Sequence, residues 1–264
     1  GVEAIIVNDE WGKPVDPKKV EQSLIDNPDA KIVAFVHAET STGAISDAKL
    51  LCELARKHGC LNIVDAVTSL AGSELRVDDW GVDAIYSGSQ KCLSAMPGLS
   101  PVSFSDRAIY KFTHRKTPVT SWFLDLNLVM GYWGKGAKRA YHHTAPVNTL
   151  YGLHESLVML LEEGIENSWT RHKKNHILLR DGLSKLGIHY LVDESSRLPQ
   201  LNSVYIPEDC DDAEVRSNLI NNFNIEIGAG LGDLASKIWR IGLMGHTSRK
   251  ENVELCLEAL QKSL

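Results

Sequence analysis

Asp83-Ala84-Ile85-Tyr86-Ser87-Gly88-Ser89-Gln90-Lys91 reads as a short apolar strand that opens into small residues and ends on one lysine. Most lysines are solvated surface cations, and that plain reading suits most of the 28 Lys and Arg of this chain. Lys91 differs in setting. It follows Ser87-Gly88-Ser89, whose small side chains let backbone and ligand approach closely. A lysine held at the mouth of a strand and partly desolvated can become a free amine and form a Schiff base.

Outward from this stretch, strand-like and helix-like segments alternate through the first half of the chain. Val2 to Val7 reads as an opening strand, and Asp16-Pro17 starts a helix to about Ile25, with Pro17 in its first turn. Lys31 to Val36 is a continuous apolar run, typical of a buried parallel strand. It ends in the small polar loop His37-Ala38-Glu39-Thr40-Ser41-Thr42-Gly43. A helix follows from about Ser46, with Leu50, Leu51 and Leu54 on one face and Gly59 as a left-handed cap. Leu61–Val64 is the next strand, running into Asp65, and Val82–Tyr86 another, running to Lys91. Val102–Phe104 adds one more strand before a helix from Asp106. This order implies a parallel sheet with helices on its faces, whose ligands sit beyond the carboxyl ends of the strands. The clusters around Thr40, Asp65 and Lys91 all fall at such ends.

From Thr113 to Asn148 the pattern weakens into an irregular segment rich in aromatics (Trp122, Phe123, Tyr132, Trp133, Tyr141). A long helix then opens at Pro146 and runs to about Glu163, where Gly164 interrupts it. A second runs from about Glu166 to Leu186. The remainder is α+β in character, with strands expected near 189–192, 201–206, 225–227 and 238–243. Helices are expected near 211–223 and at the C-terminus, the last with a capping box of Ser248 and Glu251. The domain boundary is placed at Gly164, dividing 1–163 from 164–264.

The chain has 264 residues, a formal net charge of −6, and apolar and charged fractions of 43% and 23%, those of a soluble globular protein. The acidic balance speaks against a nucleic-acid partner, which wants a basic face. Five scattered cysteines without a close C-x-x-C pair fit reduced thiols in an intracellular protein better than a disulfide framework or a zinc site. No apolar run approaches the ~20 residues of a membrane span, and no signal-peptide pattern is visible. A strand that begins at residue one, without an initiator methionine, suggests a fragment or a processed chain.

Asp65 ends an apolar run and so would lie at the floor of a cleft. Taken alone it reads equally as a turn or cap aspartate, or as a carboxylate paired with a buried cation such as a protonated pyridine. Val64-Asp65-Ala66-Val67, Ser87-Gly88-Ser89-Gln90-Lys91 and Glu39-Thr40-Ser41-Thr42-Gly43 together resemble the class V aminotransferases of pyridoxal-phosphate fold type I. Within that class the chain resembles the alanine–glyoxylate (serine–pyruvate) aminotransferases and the similar 3-hydroxykynurenine transaminases. The likeness continues through Tyr141-His142-His143-Thr144, Glu166-Asn167-Ser168-Trp169 and Arg240-Ile241-Gly242-Leu243, and covers essentially the whole chain.

The resemblance implies an α/β fold, a mostly parallel sheet with helices on both faces plus a smaller α+β domain, and pyridoxal 5'-phosphate as cofactor. It implies that Lys91 carries the cofactor as a Schiff base and shuttles the proton, and that Asp65 pairs with the pyridine nitrogen. Val67 would pack on the ring, Thr40 would orient it from the phenolic side, and Gln90 would bind the phosphate. Tyr141 and Thr144 would reach the phosphate in the partner subunit of a homodimer, and Arg240 would grip the substrate α-carboxylate. Small amino acids and 2-oxo acids are the implied substrates, with no nucleic-acid or membrane partner. The expected compartment is a peroxisome or mitochondrion, or else the cytoplasm. The terminus Gln261-Lys262-Ser263-Leu264 matches a peroxisomal address only in its last residue.

Members of this family are longer. The part before Gly1 would carry a Gly-rich phosphate loop, an aromatic stacked on the ring and an arm that wraps the partner. The chain alone is therefore expected to bind the cofactor poorly. Three rival readings accompany the transaminase: 3-hydroxykynurenine as donor, a cysteine desulfurase, and a non-catalytic dimerisation module. Gly228-Ala229-Gly230-Leu231-Gly232 imitates a dinucleotide loop without the β-α-β context. His142-His143 reads as polar packing rather than a metal pair, since adjacent histidines point apart. Trp80, Trp169 and Trp239 read as core or interface aromatics.

Overall fold

A computed structural model of the chain describes residues 2–133 and 140–264. The central strands form as their composition dictates. β1 (Ile32–Val36), β4 (Leu61–Asp65), β5 (Ala84–Tyr86) and β6 (Val102–Phe104) make one sheet in the order β1-β4-β5-β6. β1, β4 and β5 are parallel, with Ile32 opposite Leu61 and Asp65 opposite Tyr86. β6 is antiparallel to β5. The chain between them, residues 87–101, holds no helix to carry it back across the sheet, so it reverses instead.

α1 (Pro17–Asp26) starts where Asp16 accepts the Lys18 amide, and α2 (Ala48–Lys57) where Asp47 accepts that of Leu50. Each side-chain oxygen satisfies an amide that the first helical turn leaves without a partner. Gly59 takes φ +75° after α2 as its position requires. On α2, Leu51 and Leu54 are buried, whereas Leu50 faces outward. The polar loop after β1 is a small hairpin, β2 (Ala38–Glu39) with β3 (Ala44–Ile45), which its composition does not announce.

Two expectations about the first forty residues are corrected. Val2–Val7 is not a strand; it runs without ladder hydrogen bonds, with Val2 91% exposed. β1 is not buried either. It is the edge strand, with Ile32 51% exposed, and its free side faces residues 2–7 across a groove of about 1170 Å³. An apolar run has the same composition at a sheet's centre and at its edge.

Beyond β6, α3 (Asp106–Thr113) is capped by Ser105, and α4 (Leu126–Trp133) forms inside the segment expected to be irregular. Residues 134–139 of that segment lie outside the described residues. α5 (Val147–Glu163) and α6 (Ile165–Lys185) meet at Gly164, near the expected limits. A second sheet, in the order β7-β9-β8, is wholly antiparallel and built from β7 (Leu201–Tyr205), β8 (Gly228–Ala229) and β9 (Ile238–Gly242). It packs with α6, α7 (Asp212–Phe223) and α8 (Lys250–Ser263) around Leu179, Leu183, Val204, Leu219, Trp239 and Leu260.

The segment near 189–192 gives only a single bridge, Tyr190 to Val204, and the strand expected near 225–227 forms instead at β8. The capping box at α8 is absent. Arg249 is the N-cap without a side-chain bond, and Ser248 Oγ instead accepts from Asn175 Nδ2 on α6. A buried partner outcompetes a local cap, because leaving Asn175 unsatisfied would cost more.

Candidate active site at the strand ends

Parallel pairing gathers three loops at one edge. The His37 amide donates to the Asp65 carbonyl, and the Ala66 amide to the Tyr86 carbonyl, so β1, β4 and β5 release their chains side by side. Asp65 is half-buried where β4 ends. Its Oδ1 accepts the Val67 amide at 2.9 Å and its Oδ2 accepts the Tyr86 hydroxyl at 2.9 Å.

After Tyr86 the small residues are used for bonding as well as space. Ser87 Oγ donates to the Ala66 carbonyl and Ser89 Oγ to that of Met96. Lys91 sits in the turn that follows, its carbonyl accepting the Ser94 amide. The side chain is half-buried, and Nζ has no hydrogen-bond or ion-pair partner among the described residues. Gln90 is exposed and folds over Gly88, where a Cβ would lie 2.8 Å from its Oε1. Val67 is half-buried at the start of the turn after β4.

Thr40 lies in the β2–β3 hairpin, and its carbonyl accepts Arg240 Nη1 at 3.1 Å. Arg240 projects from the central strand β9 and gives its Nε to the Ala229 carbonyl. Among the described residues no carboxylate pairs with it, so the rest of its fork is free for an anionic ligand. Residues 200 positions apart thus meet at one mouth. Gln200 ties the turn after β4 to the second sheet. Its side chain donates to the Thr68 carbonyl and accepts from Ser73 Oγ, while its own carbonyl accepts the Leu243 amide.

Tyr141 and Thr144 are not part of this group. Both are exposed, and their hydroxyls bond to each other. They belong to an aromatic cluster in which His142 stacks on Trp122 at 4.0 Å. The two histidines do not point apart: His142 Nδ1 and His143 Nδ1 lie 2.7 Å from each other. No set of three metal-ligating side chains occurs among the described residues. The glycine-rich loop is no dinucleotide cradle, for a Cβ on Gly230 would overlap the Leu234 carbonyl. The glycine serves close backbone packing.

Two further residues lie at these strand ends, Tyr86 and His37. Tyr86 ends β5, and a same-end partner for Asp65 on an adjacent parallel strand is where a second ligand to the carboxylate belongs. His37 is buried, edge-on to Trp80 at 5.6 Å, and its Nδ1 has no partner. Burial holds the ring neutral, with a pKa lowered to about 4. The same effect acts on four of the thiols. Burial pushes Cys52 and Cys92 up to about 12 and Cys256 to about 11, and raises Cys60. Cys210, the remaining one, packs against the core of the second sheet. None of these is the mobile nucleophile a desulfurase needs.

The donor set fits pyridoxal phosphate: an amine without a partner among the described residues in the loop after β5, an oriented carboxylate at the end of adjacent β4, and a guanidinium with spare donors held by the hairpin after β1. A family model of class-V aminotransferases matches residues 2–254. The chain is 42% identical over 249 residues to an alanine–glyoxylate aminotransferase of Callithrix jacchus, a match covering 94% of this chain and 60% of that one. It is 38% identical over 273 residues to an (S)-ureidoglycine–glyoxylate transaminase of Bacillus subtilis, covering 97% and 65%. The crystal structure of an alanine–glyoxylate aminotransferase from Nostoc sp. superimposes with a TM-score of 0.93 at 45% identity, covering 97% of this chain and 67% of that one. This chain therefore spans less than two-thirds of the length of the two relatives it matches in sequence. With its strand-end lysine and aspartate in the fold type I arrangement, the chain belongs to the class V aminotransferases.

Proposed function

We propose that the protein is a pyridoxal-phosphate-dependent aminotransferase that moves an amino group from alanine or serine to glyoxylate, releasing glycine and pyruvate or hydroxypyruvate. The observation that carries this reading is the unpaired Lys91 amine, one strand over from an Asp65 carboxylate held by two donors. When bound, the cofactor supplies an electron sink for the charge left as the α-proton departs. The chain's own residues do the rest. Lys91 holds the cofactor covalently and, once released, takes the proton from the substrate α-carbon and returns it. Asp65 keeps the ring nitrogen protonated, because a carboxylate in contact favours the cationic form. Val67 packs against the ring, Thr40 orients it and Gln90 binds its phosphate. Arg240 grips the α-carboxylate bidentately, and the Thr40 carbonyl holds that guanidinium in place.

The family resemblance suggests a homodimer in which Tyr141 and Thr144 reach the partner's cofactor phosphate. Their exposure supports that assignment, as does α5, a largely apolar helix with no buried residue. The division into a cofactor domain, 1–163, and a small domain, 164–264, is supported by a hydrophobic cluster drawn wholly from residues 178–260. No helix among the described residues is long and apolar enough to cross a membrane. A peroxisomal or mitochondrial setting rests on the resemblance.

The test is Lys91→Ala. The unaltered protein should develop a visible absorption band with pyridoxal phosphate and transfer nitrogen to glyoxylate, and the variant should lose both. Retention of transfer by the variant would remove Lys91 from the chemistry, and absence of both band and transfer in the unaltered protein would remove the enzyme reading and leave a binding or dimerisation module. Turnover compared among alanine, serine, (S)-ureidoglycine and 3-hydroxykynurenine then identifies the donor.

A further inference from the structure

We propose that Tyr86 is the positioning residue of Asp65: its hydroxyl clamps the carboxylate so that the unused lone pairs face the cofactor's ring nitrogen. This deepens the aminotransferase reading and rests on it. Asp65 and Tyr86 are directly opposed at the ends of parallel β4 and β5. In-register residues of neighbouring strands share a face of the sheet, so the phenol reaches across one strand spacing to Oδ2 at 2.9 Å. The second oxygen is taken from another direction by the Val67 amide.

Two donors on two oxygens matter because the terminal torsion of aspartate is broad and only weakly held by its own rotamer preference. With the Val67 amide alone the carboxylate can still swing about that torsion. With the phenol added, its plane is set. A carboxylate offers about four lone-pair sites, so two remain for a ring N–H after both donors are counted. Asp65 has no other side-chain partner among the described residues. The strand pairing itself is carried by backbone bonds, including that from the Ala66 amide to the Tyr86 carbonyl, and these do not need the hydroxyl. At 41% exposure the Tyr86 ring fills no core. Its visible purpose is therefore the carboxylate. Burial and, after it, the Asp65 carboxylate also hold the hydroxyl above the usual phenol range, which makes Tyr86 a reporter of the contact.

Two measurements test this. In protein with isotope-labelled tyrosine and no added cofactor, Tyr86→Phe assigns one ring resonance. That resonance should titrate at lower pH in Asp65→Ala than in the unaltered protein. In the second measurement, pyridoxal phosphate affinity is read by the visible band in the two single variants and the double variant. Tyr86→Phe should weaken binding about threefold to tenfold, the worth of one net hydrogen bond, and should change nothing further once Asp65 is Ala. Identical titration in both proteins, or an equal effect of Tyr86→Phe in both backgrounds, overturns the positioning role alone. If Asp65→Ala leaves affinity unchanged, the assignment of Asp65 to the cofactor fails and the role of Tyr86 falls with it.

Discussion

The two sheets of this protein treat their strands differently. In the C-terminal sheet β7 and β9 are buried along nearly their whole length, and Trp239 at the centre is 0% exposed, its indole N–H spent on Asp212 Oδ1 at 2.8 Å. Three helices of the same segment close over it. In the N-terminal sheet β1 alternates between exposed and half-buried, and an apolar groove runs beside it. Helices α1 and α2 pack against the N-terminal sheet, and the candidate site lies at its strand ends. The second is a closed core that delivers one arginine to that site. The proposed site belongs to the N-terminal region, while the larger buried cluster belongs to the closed one.

That contrast can be broken most directly at Trp239. Trp239→Ala removes a fully buried indole and strands Asp212's bond, so a loss of about 3–5 kcal/mol in unfolding free energy is expected from urea denaturation. Ile32→Ala on the exposed edge should cost well under half of that. Comparable losses at the two positions would show that the regions are not different in kind.

His37 sharpens the contrast, for it is a closed spot within the open region. Its folded pKa of about 4 lies below the unfolded value of 6.5, so between those limits the unfolded chain binds the extra proton. Stability is therefore fully present above 6.5 and is lost as pH falls toward 4. At about 1.4 kcal/mol per unit the loss is about 2 kcal/mol between pH 7 and pH 5. Asp47, whose charge favours the protonated ring, moderates this loss. Unfolding at the two pH values should show the drop, and His37→Phe should remove most of it. A pH dependence unchanged by that substitution would assign it elsewhere, to His172 and His176, which burial also holds low.

The smallest effect on folding is expected on α5. Leu161 is 81% exposed, so Leu161→Ala should move unfolding free energy by no more than about 0.5 kcal/mol. If α5 meets a second copy, that variant and Leu157→Ala should instead weaken association, seen as a larger monomer fraction in sedimentation at low concentration. A large folding cost with unchanged association would make α5 part of the chain's own core.

Much of this was legible before the structure, and the parts that were share a cause. α1 starts at Asp16-Pro17, and Gly59 takes positive φ where α2 ends, as their positions suggest, because caps are decided within a few residues. The strand ends at Asp65 and before Lys91 were readable because an apolar run that stops at a charged or small residue has little choice of where to end. α4 was missed because the aromatics around it obscure a single short period. The capping role of Ser248 was wrong because its buried partner, Asn175, lies 73 residues away.

Sequence alone determined the order of the elements, the placement of Thr40, Asp65 and Lys91 at strand ends, and the kinship with class V aminotransferases. These depend on local preference and on residue types at fixed spacing. Only the tertiary structure decided that β1 is an edge, that β6 runs antiparallel, that Tyr86 holds Asp65 and that the Thr40 carbonyl holds Arg240. Each of those depends on which strand lies beside which and in what register. No stretch of chain encodes that by itself, since it is settled by the packing of distant faces against one another.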